Sequence, residues 1–140
     1  QVTNPVLRGE RIIFTTVIPS DNPCKDGGDG WLMELATANG GRLDVTPFDI
    51  AGPNGGAPDG IFDANDLVSF TGSGGPVATG GTKFKGIPSG PVILNGGPGP
   101  NPACLGGECK FISGSDGIIN SVNENPDNDG YVRESWRQLR

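Results

Sequence analysis

Apolar residues fall in short runs along this chain, separated by Gly, Pro, Asn and Asp. The densest run is Arg11-Ile-Ile-Phe-Thr-Thr-Val-Ile18. Side chains alternate along a strand, so Ile12, Phe14, Thr16 and Ile18 share one face and Ile13, Thr15 and Val17 the other. Both faces are apolar, which predicts an inner strand covered on both sides. A second run, Trp31-Leu-Met-Glu-Leu-Ala36, places Trp31, Met33 and Leu35 together, and these read as core. Asn39-Gly40-Gly41 then leads into Arg42-Leu-Asp-Val-Thr46. An Asn-Gly pair between apolar runs is a strong hairpin signal, because both turn residues tolerate positive φ. A three-stranded antiparallel unit over 11–46 is therefore expected.

The remaining strands are shorter. Val2 to Leu7 contains Pro5, which suits an edge strand. Thr82 to Ile87 and Pro91 to Leu94 are two further candidates. Lys110 to Ser113 and Ile118 to Val122 flank Gly114-Ser-Asp-Gly117 as a second hairpin. Tyr131 to Trp136 forms a last strand after the Asp-Gly turn in Asn125–Gly130, and with Val2–Leu7 it is the expected sheet edge. The expected fold class is all-β, built of antiparallel hairpins, with Phe14, Trp31, Phe111 and Trp136 buried.

Composition refines this picture. The chain has 140 residues, enough for one domain, 1–140, with a modest core. It holds 25 Gly and 13 Pro, and these make up half of residues 72–107. Ordered strands are expected over 1–71 and 108–140, with a Gly/Pro-rich loop region over 72–107 between them. The net charge is −6 and there is no His. An acidic chain offers no broad cationic face to phosphate backbones, so nucleic acid is not an expected partner. Without His, Ser-His and Cys-His dyads are excluded, and an enzyme is not expected. No apolar run approaches the length of a membrane span. Gln1 reads as the first residue of a processed or excised chain.

Two kinds of candidate site remain. The stretch from Asp49 to Asp66 contains Asp59-Gly60-Ile61-Phe62-Asp63-x2-Asp66, the back half of an EF-hand-type loop. Asp59 supplies a carboxylate, Gly60 the sharp turn, Ile61 a carbonyl, and Asp63 and Asp66 further oxygens. Ungapped counting puts Gly55 and Ala57 at the first two ligand positions, so Asp49 and Asn54 can complete the set only across an insertion. The candidate metal ligands are thus Asp49, Asn54, Asp59, Ile61, Asp63 and Asp66, and the candidate cofactor is calcium. The competing reading is an acidic loop in which Asp63 caps one helical turn over Ala64–Phe70. Three cysteines allow three pairings. A Cys104–Cys109 disulfide in an oxidising compartment is favoured, which leaves Cys24 over.

The residues Gly9-Glu-Arg-Ile-Ile-Phe-Thr-Thr16, Trp31-Leu-Met-Glu-Leu35, Gly41-Arg-Leu-Asp44 and Phe111-Ile-Ser-Gly-Ser-Asp-Gly117 resemble the C-terminal region of PilY-type proteins. So does the ending Ser135-Trp-Arg-Gln-Leu-Arg140. These proteins are the large tip-associated factors of bacterial type IV pili. The resemblance implies blade-like sheets, similar to the last part of a modified β-propeller. It also implies a role in pilus assembly, retraction control and adhesion, with calcium as a regulator in some members. A closed propeller needs about four or more blades of about 40 residues, more than this chain supplies. The expected function is a non-enzymatic extracellular structural or adhesion protein at the bacterial cell surface. Its expected partners are pilus subunits, the rest of a larger parent protein, or copies of itself paired through open strand edges. The alternatives are a filament-building pilus subunit and a calcium-stabilised secreted binding module.

Overall fold

The fold is taken from a computed structural model that describes residues 3–22, 26–72, 74–95 and 107–126. Seven strands form two antiparallel sheets, and the described residues contain no α-helix. The first sheet has the order β1 (Val6–Arg8), β2 (Arg11–Pro19), β3 (Gly28–Ala36) and β4 (Gly81–Lys85). The second has the order β5 (Val92–Asn95), β6 (Glu108–Ser113) and β7 (Ile119–Glu124). Among the described residues neither sheet closes into a barrel. The all-β expectation holds, and β6 and β7 form the predicted hairpin. β2 is paired along both edges, but it is not covered on both faces: Ile12, Phe14 and Thr16 are only half-buried and Ile18 is exposed. The predicted strand over Tyr131–Trp136 lies outside the described residues.

The hairpin expected between Trp31–Ala36 and Arg42–Thr46 does not form. The turn itself closes: Gly40 takes φ 66, and its N–H donates to the Ala36 carbonyl at 2.8 Å. The Asn39 side chain accepts the Gly41 N–H at 2.8 Å. The free edge of β3 is taken instead by β4, with Met33 opposite Gly81 and Trp31 opposite Lys83. Glycine at 81 allows this close approach: a Cβ there would come within 2.6 Å of Met33 Sδ and 3.0 Å of the Leu32 carbonyl, so both would have to shift. Residues 42–46 therefore leave the sheet. They lead to Phe48, which makes a single antiparallel bridge to Glu124 at the edge of β7.

The sheets pack face to face through Ile13, Leu32, Phe48 and Ile112, with Ile50, Phe84, Ile93 and Val122 against them. Burying each large apolar side chain contributes about 1.5–3 kcal/mol. The inward face of β3 is Gly30, Leu32 and Glu34. Trp31, Met33 and Leu35, expected in the core, lie on the opposite face and are half-buried beside Thr16, Phe14 and Ile12. Phe111 is also half-buried and points away from the core. In a strand with large apolar residues on one face and Leu and Glu on the other, side-chain size favours the wrong face. Partners on the opposing sheet decide it.

Between β4 and β5 the chain crosses from one sheet to the other. Pro88 bridges to Gly114, and Ser89 N–H donates to the Ser113 carbonyl at 2.8 Å. The only helical turns among the described residues are two three-residue 3-10 turns, Pro53–Gly55 and Ala64–Asp66.

Candidate functional site

The interface between the sheets carries a band of charge beside its apolar core. The first sheet contributes Arg8 from β1, Arg11 from β2 and Glu34 from β3. The second contributes Glu108 and Lys110 from β6 and Glu124 from β7. Register builds it. Ile13 lies opposite Glu34, and Glu108 opposite Glu124, with Lys110 two residues along on the same inward face. Lys110 Nζ meets both Glu34 Oε1 and Glu124 Oε2. Arg11 Nη1 lies 3.4 Å from Glu34 Oε2 and donates to the Asn125 carbonyl at 3.0 Å. Arg8 pairs with Glu108.

Lys110 is 1% exposed and Glu34 is fully buried. Three cations and three carboxylates balance, as burial demands: an uncompensated buried charge is far more costly than a paired one. Burial pushes the Lys110 ammonium below the ordinary lysine range; the charge and hydrogen bond of Glu34 oppose the shift, and Arg11 adds to it. Sequence reading missed this band. The signal was present: once β2 and β3 pair, period two places Glu34 on the face of Ile13 rather than toward solvent.

The acidic loop is built differently. Asp49 Oδ2 accepts the Gly60 N–H at 2.7 Å and the Asn123 side-chain amide at 2.9 Å, while Oδ1 accepts the Asp59 N–H at 3.2 Å. Asp66, fully buried, accepts from Ile50 N–H at 2.7 Å and Ala51 N–H at 3.1 Å through Oδ1. Its Oδ2 accepts the Asp63 N–H at 3.1 Å, and Asp63 in turn caps the Ala64–Asp66 turn through the Asn65 N–H at 2.7 Å. This is a reciprocal capping box.

Asp59 Oδ1 accepts the N–H of Ile61 at 2.9 Å. Asn54 sits in the other short turn with φ 57. The structure thus brings Asp49 close to Asp59, and Asp63 to Asp66. In this conformation Asp49 and Asp66 direct their oxygens at amide N–H groups, not at a shared point. Calcium wants about six to eight oxygens around one ion, and among the described residues no group of three or more acidic, His or Cys side chains could hold a metal. The six expected ligands do not fit a calcium cage as they stand here.

Cys109 is buried on β6 and is disulfide-bonded. Cys24 and Cys104 lie outside the described residues. No helix among the described residues is long and apolar enough to cross a membrane.

Comparison with known proteins finds a similarity along almost the whole chain. The chain is similar to the type IV pilus biogenesis factor PilY1 of two Pseudomonas aeruginosa strains, PAO1 and PAK, at 31% identity over 139 residues. That match spans 99% of this chain but only 10% of each relative's length. No family model and no solved structure matches. Over nearly its whole length, therefore, this chain is similar to a C-terminal region of PilY1.

Proposed function

We propose that the chain is a non-enzymatic structural unit of a PilY-type pilus factor, acting at the bacterial cell surface in pilus biogenesis and adhesion. The observation that carries this reading is the match to PilY1 across nearly the whole chain. The geometry is compatible with it. The buried charges neutralise one another across the sheet interface, and the acidic loop is closed by its own backbone. Among the described residues the outer edges of β1, β4 and β5 carry no neighbouring strand. Val92 and Leu94 on β5 are exposed. Such edges recruit a further strand, from the rest of a larger protein, a pilus subunit or a second copy.

The test is deletion of the coding segment for this chain from its own genome, with surface pili counted and attachment measured. Loss of both, restored by the wild-type segment, is the expected result. Normal piliation and normal attachment would overturn the proposal. Light scattering on the purified chain reports separately whether the open edges drive self-association.

A further inference from the structure

We propose that Lys110 and Glu34 condense to an intramolecular isopeptide bond that joins the two sheets, with Glu124 as the acid-base catalyst. Three observations on the side chains carry this. The ε-amine of Lys110 is sealed between the sheets and touches the carboxylates of both Glu34 and Glu124. The far oxygen of Glu34 faces the Arg11 guanidinium at 3.4 Å. The second oxygen of Glu124 is buried with no hydrogen-bond partner among the described residues. One buried amine thus touches two carboxylates at once. They supply an acyl acceptor and a separate proton carrier.

The chemistry balances without any further reagent. Glu124 takes a proton from the Lys110 ammonium, which frees the amine lone pair. Nζ attacks Cδ of Glu34, and negative charge collects on Oε2, opposite Arg11. Glu124 passes protons to Oε1, the Cδ–Oε1 bond breaks and water leaves. The ammonium's three protons end as one amide N–H and the two of the water. Glu124 returns to its ionised form. One positive and one negative charge vanish together, so the band stays neutral.

Burial helps at each stage. A desolvated lysine shifts toward the neutral, nucleophilic amine. Groups held in contact react with effective molarities of about 10⁵–10⁸ M. A fixed cation beside the developing oxyanion lowers the barrier most where water is excluded. Glu34 and Lys110 are 76 residues apart, so the bond would cross-link strands far apart in the chain.

Intact mass spectrometry of the purified chain, denatured with its cysteines reduced and alkylated, tests this. The expected mass is lower than that of the sequence by one water. Protease digestion should then yield a branched species joining a β3 peptide to a β6 peptide through Glu34 and Lys110. Glu124→Gln and Lys110→Arg should restore the full sequence mass while circular dichroism still reports β-structure. A folded wild-type sample at its full sequence mass would overturn the proposal, whatever the variants do. A branch at Glu124 in place of Glu34 would overturn the assignment of acceptor and catalyst.

Discussion

Two regions of this molecule bury carboxylates, and they satisfy them by opposite means. In the inter-sheet band, Glu34, Glu108 and Glu124 are met by Lys110, Arg11 and Arg8, from strands far apart in sequence. In the acidic loop, Asp49 and Asp66 are met almost entirely by backbone N–H groups within the loop itself. The first arrangement is an agreement between two sheets: it exists only when they dock in one register. The second is local and asks nothing of the opposite sheet beyond the Asn123 amide. The difference separates what a charge cluster in sequence can mean. Acids gathered in one Gly-rich stretch resembled an ion site and fold a loop. Charges scattered singly on strands carry no such local signal and converge inside.

The comparison breaks most sharply at Lys110. Replacing it with Met leaves Glu34 and Glu124 buried together with neither the shared cation nor the proposed amide to Glu34. The expected cost is about 3–5 kcal/mol, the usual penalty for breaking a buried ion network. Urea unfolding measures it. Replacing Lys110, Glu34 and Glu124 together with apolar residues of similar volume should regain much of that loss. If Lys110→Met alone costs less than about 1 kcal/mol, the range of exposed pairs, the band is not the closed unit described here.

Asp66 comes next. Asp66→Ala strands the amides of Ile50, Ala51 and Asp63, and each buried unsatisfied group costs about 1–3 kcal/mol. Partial access to water should bring the total to roughly 2–4 kcal/mol. The same loop tests calcium. Melting in millimolar calcium and in chelator should coincide, because the carboxylate oxygens already accept hydrogen bonds. A ligand at a hundred times its Kd adds about 2.7 kcal/mol. A calcium-dependent rise of that order, lost in Asp59→Ala, would show that the loop rearranges around the ion and would erase the contrast between the regions.

These two regions also show what could be read from sequence. The strands from Arg11 to Ile18, from Trp31 to Ala36 and around Gly114–Gly117 were legible, because β-branched runs bounded by turn residues carry their own signal. Asp63 as a helix cap was legible for the same reason: capping is local. The pairing of β3 was not. The turn at Asn39–Gly41 exists as expected, but the sheet edge beside it went to a strand some 40 residues further on, held by a close approach at Gly81. The inward face of β3 was misread because the large Trp31 lies on the other face, and Glu34 turns inward toward Arg11 and the opposing Lys110. Local chemistry is written locally, whereas choices between two acceptable faces or edges depend on distant partners.

A smaller effect concerns Cys109, which is disulfide-bonded. We expect its partner to be Cys104, separated from it by four residues. A bond closing so short a loop restricts the unfolded chain little, by about 2 kcal/mol in the chain-entropy account. Peptide mapping without reductant identifies the partner, and a melt with reductant gives the contribution. Pairing of Cys109 with Cys24 would tie β6 to the loop after β2, and reduction would then weaken the sheet interface rather than one loop.

The smallest expected effect lies at the surface, where Lys85 pairs with Asp26 and Lys83 with Asp29, each at 2.7 Å. A hydrogen bond from Lys85, then its charge, lowers the Asp26 pKa; the reciprocal bond and charge raise that of Lys85. The Asp26 contribution is therefore present above its unfolded value near 3.8 and is lost as pH falls through the lower folded value. The Lys85 contribution is present below 10.5 and is lost as pH rises through the higher folded value. Between those limits the pair should add a constant, slight stabilisation. Unlike the inter-sheet band it stands in water, so salt at about 1 M should screen it. Asp26→Asn should lower the melting temperature slightly at neutral pH in dilute buffer and not at all in that salt. If the loss persists undiminished in high salt, the Asp26 side chain acts through its hydrogen bonding and not through its charge.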